Sequence, residues 1–112
     1  MQNSLHEYKA NIFKALAHPT RVAILEVLLG GEASAGAIQE TLGLEQANVS
    51  QHLSILRSRQ IVTRRKDGNQ VFYSLRNKVL VKVLDLMRQD YRAHLQESIQ
   101  MLGAVEAERP RR

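Results

Sequence analysis

Apolar residues recur at helical spacing through most of the chain, and short polar or glycine-containing breaks divide them into separate stretches. In residues 4–16, Leu5, Tyr8, Ile12, Phe13 and Leu16 fall at helical spacing. Ala17 and His18 interrupt this pattern. Pro19 suits the first turn of a second helix, where its missing amide proton has no partner to lose. Val22, Ile24, Leu25, Leu28 and Leu29 make that helix heavily apolar, and Gly30 and Gly31 stop it. Ser34 can cap a helix over 35–42, and Gly43 supplies the positive φ that ends it. In residues 44–56, Val49, Leu53 and Leu56 share one helical face while Asn48, Ser50, Gln51 and Ser54 lie on others. Two helices joined by a tight turn are the expected result.

Beyond this unit the period changes. Residues 61–66 and 70–75 read as strands flanking Asp67-Gly68-Asn69, a turn sequence suited to positive φ, which predicts a two-stranded hairpin. Val71, Tyr73 and Leu75 share one face of it. From 78 to 102 the helical period returns, with Leu80, Leu84, Met87, Tyr91, Leu95, Ile99 and Leu102 spaced by roughly 3.7 residues on average. So long a helix outruns what one small core covers, so part of its stripe requires a second surface, which another copy of the chain would provide. Leu5, Tyr8, Ile12, Leu80, Leu84, Met87, Tyr91 and Leu95 are the expected dimer interface. The expected fold is mainly α (α+β): about five helices with a two-stranded β-hairpin, forming one domain over residues 1–102. Residues 103–112, with Pro110 and three arginines, read as a flexible basic tail.

Composition narrows the function. The chain has 112 residues and no cysteine, which removes disulfides, thiolate metal sites and thiol switches together. The absence of a long apolar run or a basic-then-apolar N-terminus leaves a cytoplasmic protein as the default expectation. The net charge of +5 is unevenly placed. Residues 1–56 hold Lys9, Lys14 and Arg21 against Glu7, Glu26, Glu32, Glu40 and Glu45, whereas 57–82 hold Arg57, Arg59, Arg64, Arg65, Lys66, Arg76, Lys78 and Lys82 against Asp67 alone. A cationic cluster that begins where the polar helix ends is the electrostatic footprint of phosphate contact. Taken alone, a charge run is more often a solvated face; its place beside the two-helix unit favours the functional reading.

The small polar residues of the second helix of the unit can approach base edges in a DNA major groove, and the hairpin beside it is then a wing. Gln46, Asn48, Ser50, Gln51 and Ser54 are candidate base or backbone contacts. His52 either meets a phosphate or holds the helix in place. Arg57, Arg65 and Lys66 suit backbone attraction, and Asn69 lies at the wing tip. Helical pairing between two chains would set two such helices about one DNA turn apart.

Three blocks carry a family resemblance: Phe13-Lys-Ala-Leu-Ala-His-Pro-Thr-Arg-Val-Ala-Ile-Leu25, Val49-Ser-Gln-His-Leu53 and Asp67-Gly-Asn-Gln-Val-Phe-Tyr-Ser-Leu75. In this order and spacing they resemble the ArsR/SmtB family of bacterial winged-helix repressors, across nearly the whole chain. The resemblance implies a homodimer that occupies an inverted-repeat DNA operator, blocks transcription, and releases the DNA when a small-molecule or ion inducer shifts its conformation. It does not imply the family's familiar metal sites. Where arsenic, cadmium and lead sensors carry a cysteine motif, this chain has Ser34-Ala-Gly-Ala-Ile38. At the positions of the zinc and cobalt ligands it has Asn77, Val79, Asp90 and Ala93, and three of these four are not strong ligands.

Asp90, His94 and Glu97 do stand on one helix face, with His6 or Glu7 able to join from a paired helix, and mixed nitrogen and oxygen ligation suits zinc or nickel. Charged residues at those spacings are also what any exposed helix face contains, so no cofactor is expected. His18 reads as a capping or packing residue. Two other classes compete with a repressor: a protein-interaction module on a winged-helix scaffold, and a small hydrolytic enzyme using His52 or His94. The clustered arginines argue against the first, and the lack of a cysteine or a strained nucleophile turn against the second.

Overall fold

The computed structural model describes residues 4–108. The elements run α1 (Ser4–Leu16), α2 (Pro19–Leu29), β1 (Ala33–Ser34), α3 (Ala35–Leu42), α4 (Gln46–Ser58), β2 (Val62–Asp67), β3 (Gln70–Leu75) and α5 (Lys78–Ala107). Among the described residues no helix is long and apolar enough to cross a membrane. The chain divides into two compact units, one ending at Lys78 and the other beginning at Val79.

Local chemistry sets most of the boundaries in the first unit. His18 is extended and its Nδ1 accepts a bond from the Thr20 amide at 3.2 Å, capping α2 just before Pro19. Ser34 caps α3 through Oγ, which accepts from the Ala37 amide at 3.0 Å, and Gly43 ends that helix at φ 66°. The core gathers Ile24, Leu25 and Leu28 of α2, Ile38 of α3, and Val49, Leu53 and Leu56 of α4, joined by Ile61 and Val62 at the start of the hairpin. Helix α4 starts at Gln46 rather than at 44, because Glu45 keeps an extended backbone (φ −73°, ψ 146°).

That helix ends without glycine. Ile61 donates its amide to Leu56 O at 3.0 Å and Gln60 to Arg57 O at 2.9 Å, a Schellman arrangement in which Gln60 takes the left-handed conformation at φ 61°. Ile61, the residue following this turn, is buried at 1% exposure, so burial of an apolar anchor accompanies a backbone conformation unfavourable to glutamine.

The sheet has three strands in the order β1-β3-β2, where the sequence predicts two. β1 pairs Ala33 with Tyr73 and Ser34 with Phe72, antiparallel to β3. A two-residue strand carries no alternation to reveal it; it exists because Ser34, extended to cap α3, is already in strand conformation. β2 and β3 pair from Val62↔Leu75 to Asp67↔Gln70 around a loop whose first central residue, Gly68, has φ 62°.

In the second unit, α5 continues through Ala107, beyond the expected end at Leu102. Gly103 costs only about 1 kcal/mol inside a helix, and Ala104 to Ala107 carry the helix past it. Residues 103–107 are therefore helical rather than part of a tail, and 109–112 lie outside the described residues. The apolar stripe of α5 begins buried at Leu80 and Leu84, each 4% exposed, and continues exposed through Met87, Tyr91, Leu95, Ile99 and Leu102.

Candidate nucleic-acid interface

Helix α4 presents two chemically opposite sides. Val49, Leu53 and Leu56 have no exposed surface and anchor it, whereas Gln46, Asn48, Ser50, Gln51, Ser54 and Arg57 are all exposed. Amide and hydroxyl groups on short side chains offer both donors and acceptors along that side, the pattern that base edges require.

His52 lies between the two sides, half-buried. Its Nδ1 accepts a bond from Arg21 Nε at 3.2 Å, and its ring meets that of His18 at a centroid distance of 4.4 Å and a tilt of 49°. Arg21 also donates through Nη1 to Ala15 O at 3.2 Å. Residues of α2 and of the turn before it thus hold α4 from behind. Burial, followed by repulsion from His18 and Arg21, lowers the His52 pKa below its ordinary value. Of the two readings of His52, this geometry supplies a concrete partner for the one in which it holds the helix. His18 is a capping and packing residue, as its sequence context predicts.

Beyond the C-terminal end of α4 lies a cleft of about 350 Å³ lined by Arg57, Arg64, Arg65, Lys66 and Val71. Arg57, Arg64 and Lys66 have no acidic partner among the described residues. Arg65 differs from them. Its Nε donates to Glu32 Oε2 at 2.8 Å and its Nη2 to Oε1 at 2.6 Å, Asp67 Oδ2 lies 3.6 Å from Nη1, and the guanidinium sits 4.8 Å from the centre of the Phe72 ring. The bonded Arg65 guanidinium lowers the pKa of Glu32, and Glu32 in turn raises that of Arg65. Asn69 is exposed at the hairpin loop. The sequence singles out Arg65 as a backbone contact, whereas Arg64 enters only as one of the cationic cluster and Glu32 only as one acidic residue of the first half. The period of two in β2 carried the signal, since it sets Arg64 and Lys66 on one face and Arg65 on the other.

Among the dimer candidates, Leu5, Tyr8, Met87, Tyr91 and Leu95 are exposed and Ile12 is half-buried. Leu80 and Leu84 are each 4% exposed, unlike the rest of the candidate set. Asp90, His94, Glu97 and His6 are all exposed, and no cluster of three or more His, Asp or Glu side chains suited to a metal forms among the described residues.

Two helices joined by a tight turn, followed by a β-hairpin at the end of the second helix, define a winged helix-turn-helix, an architecture that docks on DNA in known regulators. A helix-turn-helix domain family model matches residues 16–65. The chain is 36% identical over 104 residues to the HTH-type transcriptional regulator Rv0081 of Mycobacterium tuberculosis, covering 92% of this chain and 91% of that one. It is 36% identical over 77 residues to the transcriptional repressor SdpR of Bacillus subtilis, covering 69% and 86%. The solution structure of the homodimeric winged helix-turn-helix domain of Mb0332 from Mycobacterium bovis, a possible ArsR-family regulator, aligns with a TM-score of 0.76 at 27% identity, covering 86% and 93%. The chain belongs to the ArsR family of winged helix-turn-helix transcriptional regulators.

Proposed function

We propose that the protein is a homodimeric transcriptional repressor that binds an inverted-repeat operator, inserting α4 of each protomer into a major groove. The observation that carries this reading is the division of α4 between a fully buried apolar side and an exposed side of Gln46, Asn48, Ser50, Gln51 and Ser54, with the cationic cleft at its end. Side chains on the exposed side read base edges, and Arg57, Arg64 and Lys66 hold the flanking phosphates. The repressor function of SdpR and the homodimeric state of the Mb0332 domain support repression and pairing. The exposed stripe of α5 from Met87 to Leu102 supplies the surface for a second copy. An inducer, whose chemistry does not include thiolate ligation in this cysteine-free chain, releases the operator.

Selection of bound sequences from random duplex DNA, followed by titration of the recovered repeat and a scrambled control, tests this reading. Discrimination of about a thousandfold or more is expected, and equal affinity for both DNAs would sink it. Gln51→Ala should weaken operator binding by about 1–3 kcal/mol with little change on the scrambled duplex; an equal loss on both would remove Gln51 from the base contacts.

A further inference from the structure

The three cations in the middle of β2 are not equivalent. All three border the cleft at the end of α4, but Arg64 and Lys66 have no acidic partner among the described residues. Arg65 is held on both planar edges of a carboxylate from the loop between α2 and β1, 33 residues earlier in the chain. Its path follows the sheet. Arg65 is registered with Phe72, which is registered in turn with Ser34, and Glu32 lies two residues before Ser34. The guanidinium crosses the Phe72 ring at 4.8 Å to reach Glu32, so that one side chain ties the outer strand β2 across β3 to the segment leading into β1.

We propose that Arg65 and Glu32 form a positioning strut for the wing, and that Arg65, despite lying in the cationic cluster, does not neutralise a DNA phosphate. The bidentate geometry favours this assignment. Both carboxylate oxygens are engaged, Asp67 adds a second acidic neighbour, and the aromatic face holds the guanidinium plane, so the charge is balanced locally before any phosphate approaches. By holding the hairpin against β1, the strut fixes the direction in which Arg64 and Lys66 face relative to α4. This assignment rests on the proposed DNA-binding function, with Arg57, Arg64 and Lys66 as the phosphate-holding groups.

Operator affinity of the full chain, measured across a series of salt concentrations, separates the roles. A side chain that neutralises a phosphate contributes about 0.9 to the slope of log affinity against log salt. Arg64→Ala is expected to reduce the slope by about that amount. Arg65→Ala and Glu32→Ala are each expected to weaken binding about two- to fivefold with the slope unchanged. The double variant should be no weaker than either single one, and Arg65→Lys should not rescue, because an ammonium cannot make the paired bonds. A slope reduced by Arg65→Ala overturns the proposal, as does tighter binding by Glu32→Ala, which would mark Glu32 as a restraint on a phosphate-seeking arginine. Unchanged affinity in both single variants overturns it equally.

Amide hydrogen exchange without DNA provides an independent reading. Glu32→Ala and Arg65→Ala should both speed exchange in β2 and β3, and unaffected exchange would exclude a strut. Failure of the unsubstituted protein to discriminate its operator would count against the proposed function, while the exchange result would still decide the strut.

Discussion

His52 is held in a half-buried position where burial, and then the neighbouring His18 and Arg21, disfavour its charged form. Its Nδ1 accepts from Arg21, so the neutral ring carries its proton on Nε2, and protonation of Nδ1 abolishes that bond. The folded pKa is lowered, so the unfolded chain takes up the proton first. The stability this residue contributes is therefore complete above the ordinary value of 6.5 and is lost as pH falls through the lower folded value. Melting temperatures measured by calorimetry between pH 8 and 5 should fall on the acid side. His52→Gln should flatten that decline, and a decline of undiminished steepness in the variant would assign it to other groups. A residue in α4 thus reports on the joint between that helix and α2.

At the scale of elements, the end of α4 is a test of how a helix stops without glycine. A left-handed L-residue costs roughly 1–2 kcal/mol, and the extra freedom of glycine in the unfolded chain offsets about 0.4–1 kcal/mol of what its introduction regains. Gln60→Gly should stabilise the protein by up to about 1 kcal/mol, and thermal unfolding will show it; a loss of stability would mean that the glutamine side chain contributes more than its backbone strain costs. The same contrast explains what the chain made legible. Pro19, Ser34, Gly43 and Gly68 announce the boundaries they create because each acts on amides within a few residues of itself. β1 left no trace because two residues have no period, and the turn at Gln60 left none because its residue type is the wrong one for the conformation. Within the candidate interface, the polar and apolar sides of α4 follow directly from helical spacing. The Arg65 to Glu32 bond does not, since it depends on a strand register that joins distant segments.

At the scale of the whole molecule, the proposed pairing has a direct consequence. Tyr91 and Leu95 are 65% and 45% exposed in the single chain, so replacing them does not empty a core. The double substitution Tyr91→Glu with Leu95→Glu places like charges opposite one another in a symmetric interface, and sedimentation should find monomers. Operator affinity should fall by at least about a hundredfold as the two half-sites cease to be bound together, while weak binding to scrambled DNA changes much less. A persistent dimer would move the interface elsewhere.

The division of α4 into an anchored back and an exposed front also bears on how such a regulator diversifies. Gln46, Asn48, Ser50, Gln51 and Ser54 are all exposed, and changes at surface positions of this kind usually alter stability by less than about 0.5 kcal/mol. Val49, Leu53 and Leu56 have no such latitude. Under the proposed function, recognition can therefore drift under selection while folding stays fixed, and one scaffold can be redirected to new targets by mutations that leave its core unchanged.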